Sequence, residues 1–560
     1  MLLLILTTFL GAIFSVTAHS SSSSSPQRGS RWTGWGGNLH NNRWAADNKN
    51  ISSANIQSLL SSCTIAYPIG VSATPVLAGN IAYYPTWNGS FAALDFVSCR
   101  LLWQVNVTGL IESFAPITTF QMQQMKKVSR SSPQVDVDNN VIYMGTLTHA
   151  LVIALDRLTG KTLDVIQVNS HALATLTMSP TLFEGKLFVG ASSLEENVSL
   201  LPDYPCCNFV GNMVSLVLER SRAGGKAFKV LWNVTTIPAS RRSAGWSGAG
   251  LWGSQPSIDK SRRQLYVATG NAYSIPNATI RCQKATQNNT SAYMAVGSVR
   301  DPCLPEDIWQ DSVLAIDIDK GTVNWAHQPP KLDAYSAACG YPGIFAQNTT
   351  LCPEIPGEDA DFGMAPAFVP YARGDMVVLG RKNGDIYALS ARTGHSLWQT
   401  STSPVGIGGG LSWGIAVDDS RVYYTAINSG ENAWQLRLSN RTVSRSAYGA
   451  LSLENGAVLW ETEAPSNNIA FGPPSIVGDL VLVARTGQDP DGAGLYDQST
   501  GGLVALEKST GRIIMDHGLD TNFHGGVAVQ DRYVLFGTGY LAYQPPALVP
   551  GGFHVMLVSG

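Results

Sequence analysis

Two side-chain chemistries stand out in the 560 residues: sulfur oxidation and attachment of sugar. The chain has eight cysteines, an even number, and six of them fall into local pairs: Cys63 with Cys99, Cys282 with Cys303, and Cys339 with Cys352. The other two, Cys206 and Cys207, are adjacent. Sequence alone does not fix connectivity, but an even count in an exported chain points to disulfides. No Cys-x-x-Cys-His occurs, so the chain has no site for a covalent c-type haem. Ten Asn-x-Ser/Thr sequons are present, at Asn50, Asn88, Asn106, Asn197, Asn233, Asn277, Asn288, Asn289, Asn348 and Asn440. They are expected on exposed loops of a eukaryotic secreted glycoprotein.

The N-terminus agrees with that compartment. Residues 1–18, MLLLILTTFLGAIFSVTA, form an apolar run ending in small residues, as a signal peptide does, and the run is short for a membrane span. A serine-rich linker follows over 19–29. Residues 30–560 are expected to form one domain. The net charge is −3, from 37 basic and 40 acidic residues. That balance leaves no polycation for phosphate neutralisation and excludes a nucleic-acid partner.

The elements that must position any site are short strands. Charged residues make up only 14% of the chain, while Gly (55) and Pro (29) are abundant. That composition disfavours coiled coils and helical solenoids. A unit recurs seven times: an apolar strand, a Gly-containing turn, and a strand that often ends in Trp. Examples are FAALDFVSCRLLW (91–103), VLAIDIDKGTVNW (313–325), IYALSARTGHSLW (386–398) and YGALSLENGAVLW (448–460). Second hairpins such as PTLFEGKLFVGA (180–191) and PSIVGDLVLVA (474–484) lie between the copies. Two hairpins per unit make a four-stranded sheet, and radial repetition of such sheets is a β-propeller. The last strand, near 553–560, lacks a following hairpin. The fold is therefore expected to be all-β, an eight-bladed β-propeller of four-stranded antiparallel sheets, with the eighth blade closed by an N-terminal strand. The repeated Trp103, Trp232, Trp325, Trp398 and Trp460 are expected to pack between blades.

Taken together with the opening WTGWGGNLHNNRW (32–44), the chain resembles the pyrroloquinoline quinone (PQQ) dependent alcohol dehydrogenases, in their polyvinyl-alcohol-dehydrogenase-like branch. The resemblance implies PQQ and Ca²⁺ as cofactors and a set of residues around them. Trp252, in SGAGLWGSQPSID (247–259), would be the floor on which the quinone lies. Cys206 and Cys207 would form a vicinal disulfide capping it. Arg130, in VSRSSPQV (128–135), would bind its carboxylates, and Thr177 and Ser192 would hydrogen-bond it. GASSLEEN (190–197) resembles the family's Gly-x-Ser-x-x-Glu, giving Glu195 as metal ligand with Glu196 as close rival. ATGNAY (268–273) gives Asn271 at the same ion, a hard-oxygen set suited to Ca²⁺. Ala360-Asp361-Phe362-Gly363 resembles the family's base motif, giving Asp361, with Asp333 as the rival by distance from Trp325. Gly363 stands where lanthanide-using members carry a second Asp, which favours Ca²⁺. Lys382, in GRKNGDIYAL (380–389), would contact the quinone oxygens. The implied reaction is oxidation of a secondary or polymeric alcohol, with electrons passed to a separate acceptor. The alternatives are a cofactor-altered propeller serving a biosynthetic pathway, and a non-catalytic propeller that binds glycans or proteins.

Overall fold

The computed structural model describes residues 32–220, 224–287, 300–340, 351–405, 409–411, 413–487, 501–540 and 551–559. The signal-peptide and linker segments and the sequons at 288, 289 and 348 lie outside these residues.

Eight antiparallel sheets are arranged as the blades of a propeller. Blade 1 shows the plan: Val76–Ala78 at the axis, then Ile81–Pro85, Ser90–Asp95 and the outer Arg100–Asn106. The three inner strands are almost wholly buried, whereas the outer strand is mostly exposed. Middle strands packed by a blade on either face must be apolar throughout, which is why they read as unbroken runs. The eighth blade is closed as expected. Leu59–Ala66 pairs antiparallel with the last strand, Gly552–Val558, and is its outer strand.

The five repeated tryptophans hold neighbouring blades together. Trp103, Trp232, Trp325, Trp398 and Trp460 each donate Nε1–H to a backbone carbonyl of the next blade at 3.0–3.2 Å. Each indole lies over a turn glycine of that blade: Gly160, Gly321, Gly394, Gly456 and Gly511. These glycines have φ of +71 to +73°, and a Cβ on any of them would stand within 2.8 Å of the indole. Glycine is thus required twice, by the turn and by the ring above it. Where blade 8 meets blade 1 the same joint is covalent. Cys63 takes the post-bulge position on the outer strand that Trp103 takes in blade 1. Cys99, at φ +56°, follows Asp95 by four residues as Gly160 follows Asp156. The two form a disulfide. The other three expected pairs, Cys206–Cys207, Cys282–Cys303 and Cys339–Cys352, are also formed.

The segment 32–45 plugs the axis. Carbonyls of Trp32, Leu39, His40, Asn42 and Arg43 accept hydrogen bonds from the N–H groups of Leu77, Ile258, Phe368, Val417 and Ile476, at 2.8–2.9 Å. These donors belong to the inner strands of blades 1, 4, 5, 6 and 7, whose axial edges would otherwise be bare. Arg43 is fully buried and makes no ion pair among the described residues. It donates to the carbonyls of Pro474 and Val527 and to the Ser475 hydroxyl, and lies 5.3 and 4.5 Å from the rings of Trp32 and Trp35. Burial brings its pKa down to about 9. The long connections 107–133, 194–211 and 236–256 emerge on one face of the ring, and the described turns on the opposite face are short.

Candidate active site

Three consecutive blades send loops from the long-connection face to one point near the axis. Blade 3 supplies Ser192 to Glu196, the connection to blade 4 supplies Gly250 to Trp252, and blade 4 supplies Gly270 and Asn271. The next connection supplies Asp359 and Asp361, and a turn of blade 5 supplies Arg381 and Lys382. Asp361 is buried, and its Oδ1 accepts the Asn271 backbone N–H at 2.6 Å. Lys382 Nζ is 2.7 Å from both oxygens of Asp359 and 3.9 Å from Asp361 Oδ2. The Lys382 N–H also donates to the Asp361 carbonyl at 2.8 Å. Asp311 pairs with Arg381 at 2.5 Å.

Five carboxylates, of Glu196, Asp311, Asp333, Asp359 and Asp361, therefore share two cations. Burial raises the pKa of Glu196 and Asp311 well above the ordinary range, and neighbouring carboxylates add to it. Burial pushes Asp359 up to about 7 against the pull of Lys382, and raises Asp361 as well. For Lys382, burial alone would lower the pKa, but the charges of Asp359, Asp361 and Glu196 outweigh it and hold the ammonium above its usual value. Excess buried negative charge of this kind is relieved by protons or by a bound cation.

Asn271 adds a specific oxygen. Its Nδ2 donates to the carbonyls of Ala272 and Tyr335, leaving Oδ1 buried without a partner. Beside it, Gly270 leaves a cradle: a Cβ there would stand 3.0 Å from Asp361 Oδ1 and 3.2 Å from Trp252 Nε1. An orphaned amide oxygen beside carboxylates suits a hard cation. Among the described residues, no three His, Cys, Asp or Glu side chains close on one point as a complete metal cage. The chain thus offers part of a coordination shell.

The two candidate pairs separate cleanly. The Glu195 carboxylate accepts from the Tyr204 hydroxyl and from the N–H groups of Asn208 and Phe209, and lies 3.4 Å from His171. Burial would raise its pKa, but those hydrogen bonds win and hold it below the usual value. Glu195 is consumed in anchoring the 204–209 loop, and Glu196 is the glutamate that faces the acidic cluster. Asp333 accepts from the N–H groups of Asp359 and Ala360 at 3.2 and 2.7 Å. It holds the segment that carries Asp361.

On the axis, Trp252 lines a cavity with Arg130, Thr177, Trp413, His524 and Tyr540. Trp413 meets Trp252 edge-on at 6.4 Å. Arg130 lies 5.7 Å over the Trp413 ring and donates to the Tyr540 hydroxyl, and makes no ion pair among the described residues. Thr177 Oγ1 donates to the Trp252 carbonyl at 2.8 Å, so its proton fixes the loop under the indole. The Ser192 hydroxyl faces Gly250 and Tyr273. Cys206 and Cys207 do not line the cavity that holds Trp252. Their loop is drawn toward blade 3 by Glu195, and the Cys207 side chain packs on the core between blades 2 and 3.

Two relatives match most of the chain. It is 26% identical over 499 residues, 87% of this chain, to the polyvinylalcohol dehydrogenase of Sphingopyxis sp. (strain 113P3). It is also 26% identical over 460 residues, 79% of this chain, to that of a Pseudomonas species. These matches support the resemblance to the PQQ-dependent alcohol dehydrogenases. The chain spans 66% and 62% of these two relatives' own length. The quinohemoprotein alcohol dehydrogenase of Comamonas testosteroni superposes with a TM-score of 0.63 at 16% identity, over 95% of this chain and 81% of that one. A europium-containing methanol dehydrogenase does so at 0.60 and 15%, over 94% and 98%. Residues 382–447 match a family model described as outer membrane protein assembly factor BamB.

The residues present fit the chemistry of a quinone cofactor with a metal ion. Trp252 offers an apolar face, Arg130 a cation without an ion pair among the described residues, and Asn271 with the acidic cluster oxygens for a metal ion. Sequence reasoning missed Asp359, Asp311, Arg381, Tyr273, Trp413, His524 and Tyr540. Only two carried a signal: Asp359 in Glu-Asp-Ala-Asp (358–361), and Arg381 beside Lys382.

Proposed function

We propose that the protein is a secreted oxidoreductase that oxidises a secondary or polymeric alcohol with PQQ and Ca²⁺, and hands the electrons to a separate acceptor. The observation that carries this reading is the meeting of Asp361, Trp252 and the unpartnered Asn271 oxygen at the Gly270 cradle, in a homologue of polyvinylalcohol dehydrogenases. When bound, PQQ supplies a hydride acceptor and Ca²⁺ a Lewis acid. The rest falls to this chain. Asp361 takes the alcohol proton on its carboxylate, within reach of the Lys382 charge that favours its ionised form. Asp333 keeps the 359–361 segment in register. Glu196 and Asn271 Oδ1 would hold the metal, Thr177 would steady the Trp252 floor, and Arg130 would orient a carboxylate of the quinone.

Export is supported by the sequons. The seven within the described residues, Asn50, Asn88, Asn106, Asn197, Asn233, Asn277 and Asn440, are all exposed. None donates a hydrogen bond from Nδ2 among the described residues, whereas Asn48, Asn212 and Asn271 do. No described helix is long and apolar enough to cross a membrane.

The deciding experiment is titration of metal-free protein with Ca²⁺ and PQQ, followed by quenching of tryptophan emission, and then dye reduction over a panel of alcohols including polyvinyl alcohol. Saturable quenching with alcohol-dependent dye reduction is expected. A second reading, a propeller that binds a cation without a quinone, is favoured by the packing of Cys207 on the core between blades 2 and 3. Stabilisation by Ca²⁺ without quenching by PQQ would select it.

A further inference from the structure

The rim between blades 2 and 3 carries a groove of about 770 Å³ that the axial site leaves unused. Its lining includes Asn169, His171, Tyr204, Asn208, Asn233 and Thr235, together with Arg242, and no carboxylate among the described residues. Such a surface suits a polyhydroxylated ligand, because amides and hydroxyls both donate and accept. Its size is within the range that encloses a small molecule. Two of the lining residues, Asn233 and Thr235, are the ends of the Asn-Val-Thr sequon.

A relay of amides sets the direction of Asn233. Asn169 Nδ2 donates to Asn212 Oδ1 at 2.7 Å, and Asn212 Nδ2 donates to Asn233 Oδ1 at 2.9 Å. The same Nδ2 atoms also donate to the carbonyls of Val210 and Val168, which can only accept, so the relay cannot run backwards. Asn233 ends it as an acceptor. Its Nδ2, the atom to which an N-linked sugar is joined, has no protein partner among the described residues, and glycosylation there breaks no hydrogen bond. Across the groove stands Tyr204, backed by Phe120 at 5.7 Å with the rings nearly parallel and with its hydroxyl on Glu195. Asn208 is held by the same carboxylate through its N–H.

We propose that Asn233 carries an N-linked glycan whose first residues lie back in this groove against Tyr204 and Asn208, bracing the loop that carries Cys206–Cys207. The proposal rests on the secretory reading above. Asn233, unlike the other six sequon asparagines among the described residues, lines this groove. Through Glu195, the braced loop adjoins Glu196, so the sugar steadies one wall of the acidic cluster from outside.

The test uses full-length protein secreted from a eukaryotic host. Glycopeptide mapping is expected to find sugar at both Asn233 and Asn440. An endoglycosidase acting on the native protein should release the Asn440 glycan at least tenfold faster than the Asn233 glycan. Thr235→Ala removes the sequon and keeps the Asn212–Asn233 hydrogen bond, and should raise amide exchange over 203–210 severalfold. Sugar at Asn440 but none at Asn233 overturns the inference and leaves the secretory reading standing. Sugar at Asn233 released as fast as that at Asn440, with exchange unchanged in Thr235→Ala, overturns the docking. Sugar at none of the ten sequons overturns the secretory reading and the inference together.

Discussion

At the joints between blades, each indole N–H has its carbonyl and each ring its glycine. At the axis, five carboxylates share two cations, and an amide oxygen is left without a donor. The wall is a closed hydrogen-bond account repeated five times, and once more as a disulfide. The axial cluster is built only once and is left open. A fold with a self-sufficient wall tolerates a costly centre, since buried charge without full compensation destabilises the protein. Residues of the wall should therefore govern melting, and residues of the axis should govern turnover.

The sharpest way to break this division is Asp361→Asn. It should lower alcohol-dependent dye reduction by about 10²- to 10⁴-fold without lowering the melting temperature, because the amide relieves a buried charge. A collapse in stability would place Asp361 among the wall residues. Next comes the covalent joint. Replacing Cys63 and Cys99 by Ser should cost about 2–4 kcal/mol of unfolding free energy, read by denaturant titration, with turnover of the folded enzyme unchanged. A smaller effect is expected of Gly394→Ala, which sets a methyl against Trp325 at positive φ. About 1–3 kcal/mol should be lost, again without change in turnover. A pH effect is expected at the closing blade. Burial brings His554, bonded to Thr538 at 2.8 Å, down to a pKa of about 4. The folded state keeps it neutral while the unfolded chain takes up a proton below about 6.5. Stability should thus fall as pH drops from 6.5 toward 4, by about 1.4 kcal/mol per pH unit for this one group. His554→Gln should flatten that limb in thermal melts taken across the range.

The wall was legible in the sequence because it repeats. The apolar strand, glycine turn and terminal Trp recur wherever the same joint is built. The missing eighth hairpin pointed to closure by an N-terminal strand. The axis was legible only where a family pattern named a position. Sequence left Glu195 and Glu196 as neighbours and rivals. At the start of the short helix Glu195–Val198 they point to different sides, one into a loop and one into the cluster. Asp333 and Asp361 are both buried, and their hydrogen bonds separate them. Trp413, His524 and Tyr540 come from connections with no periodicity, so nothing in their spacing tied them to Trp252.

The early residues of the chain touch inner strands of five blades and supply the outer strand of the eighth. The ring therefore cannot be sealed until 552–558 has been synthesised and has found 59–66. Contacts spanning nearly the whole chain form late and slowly. Until then two raw sheet edges stand open to any stray strand. Loss of either end should produce a protein that associates with its own copies, whatever the state of its centre.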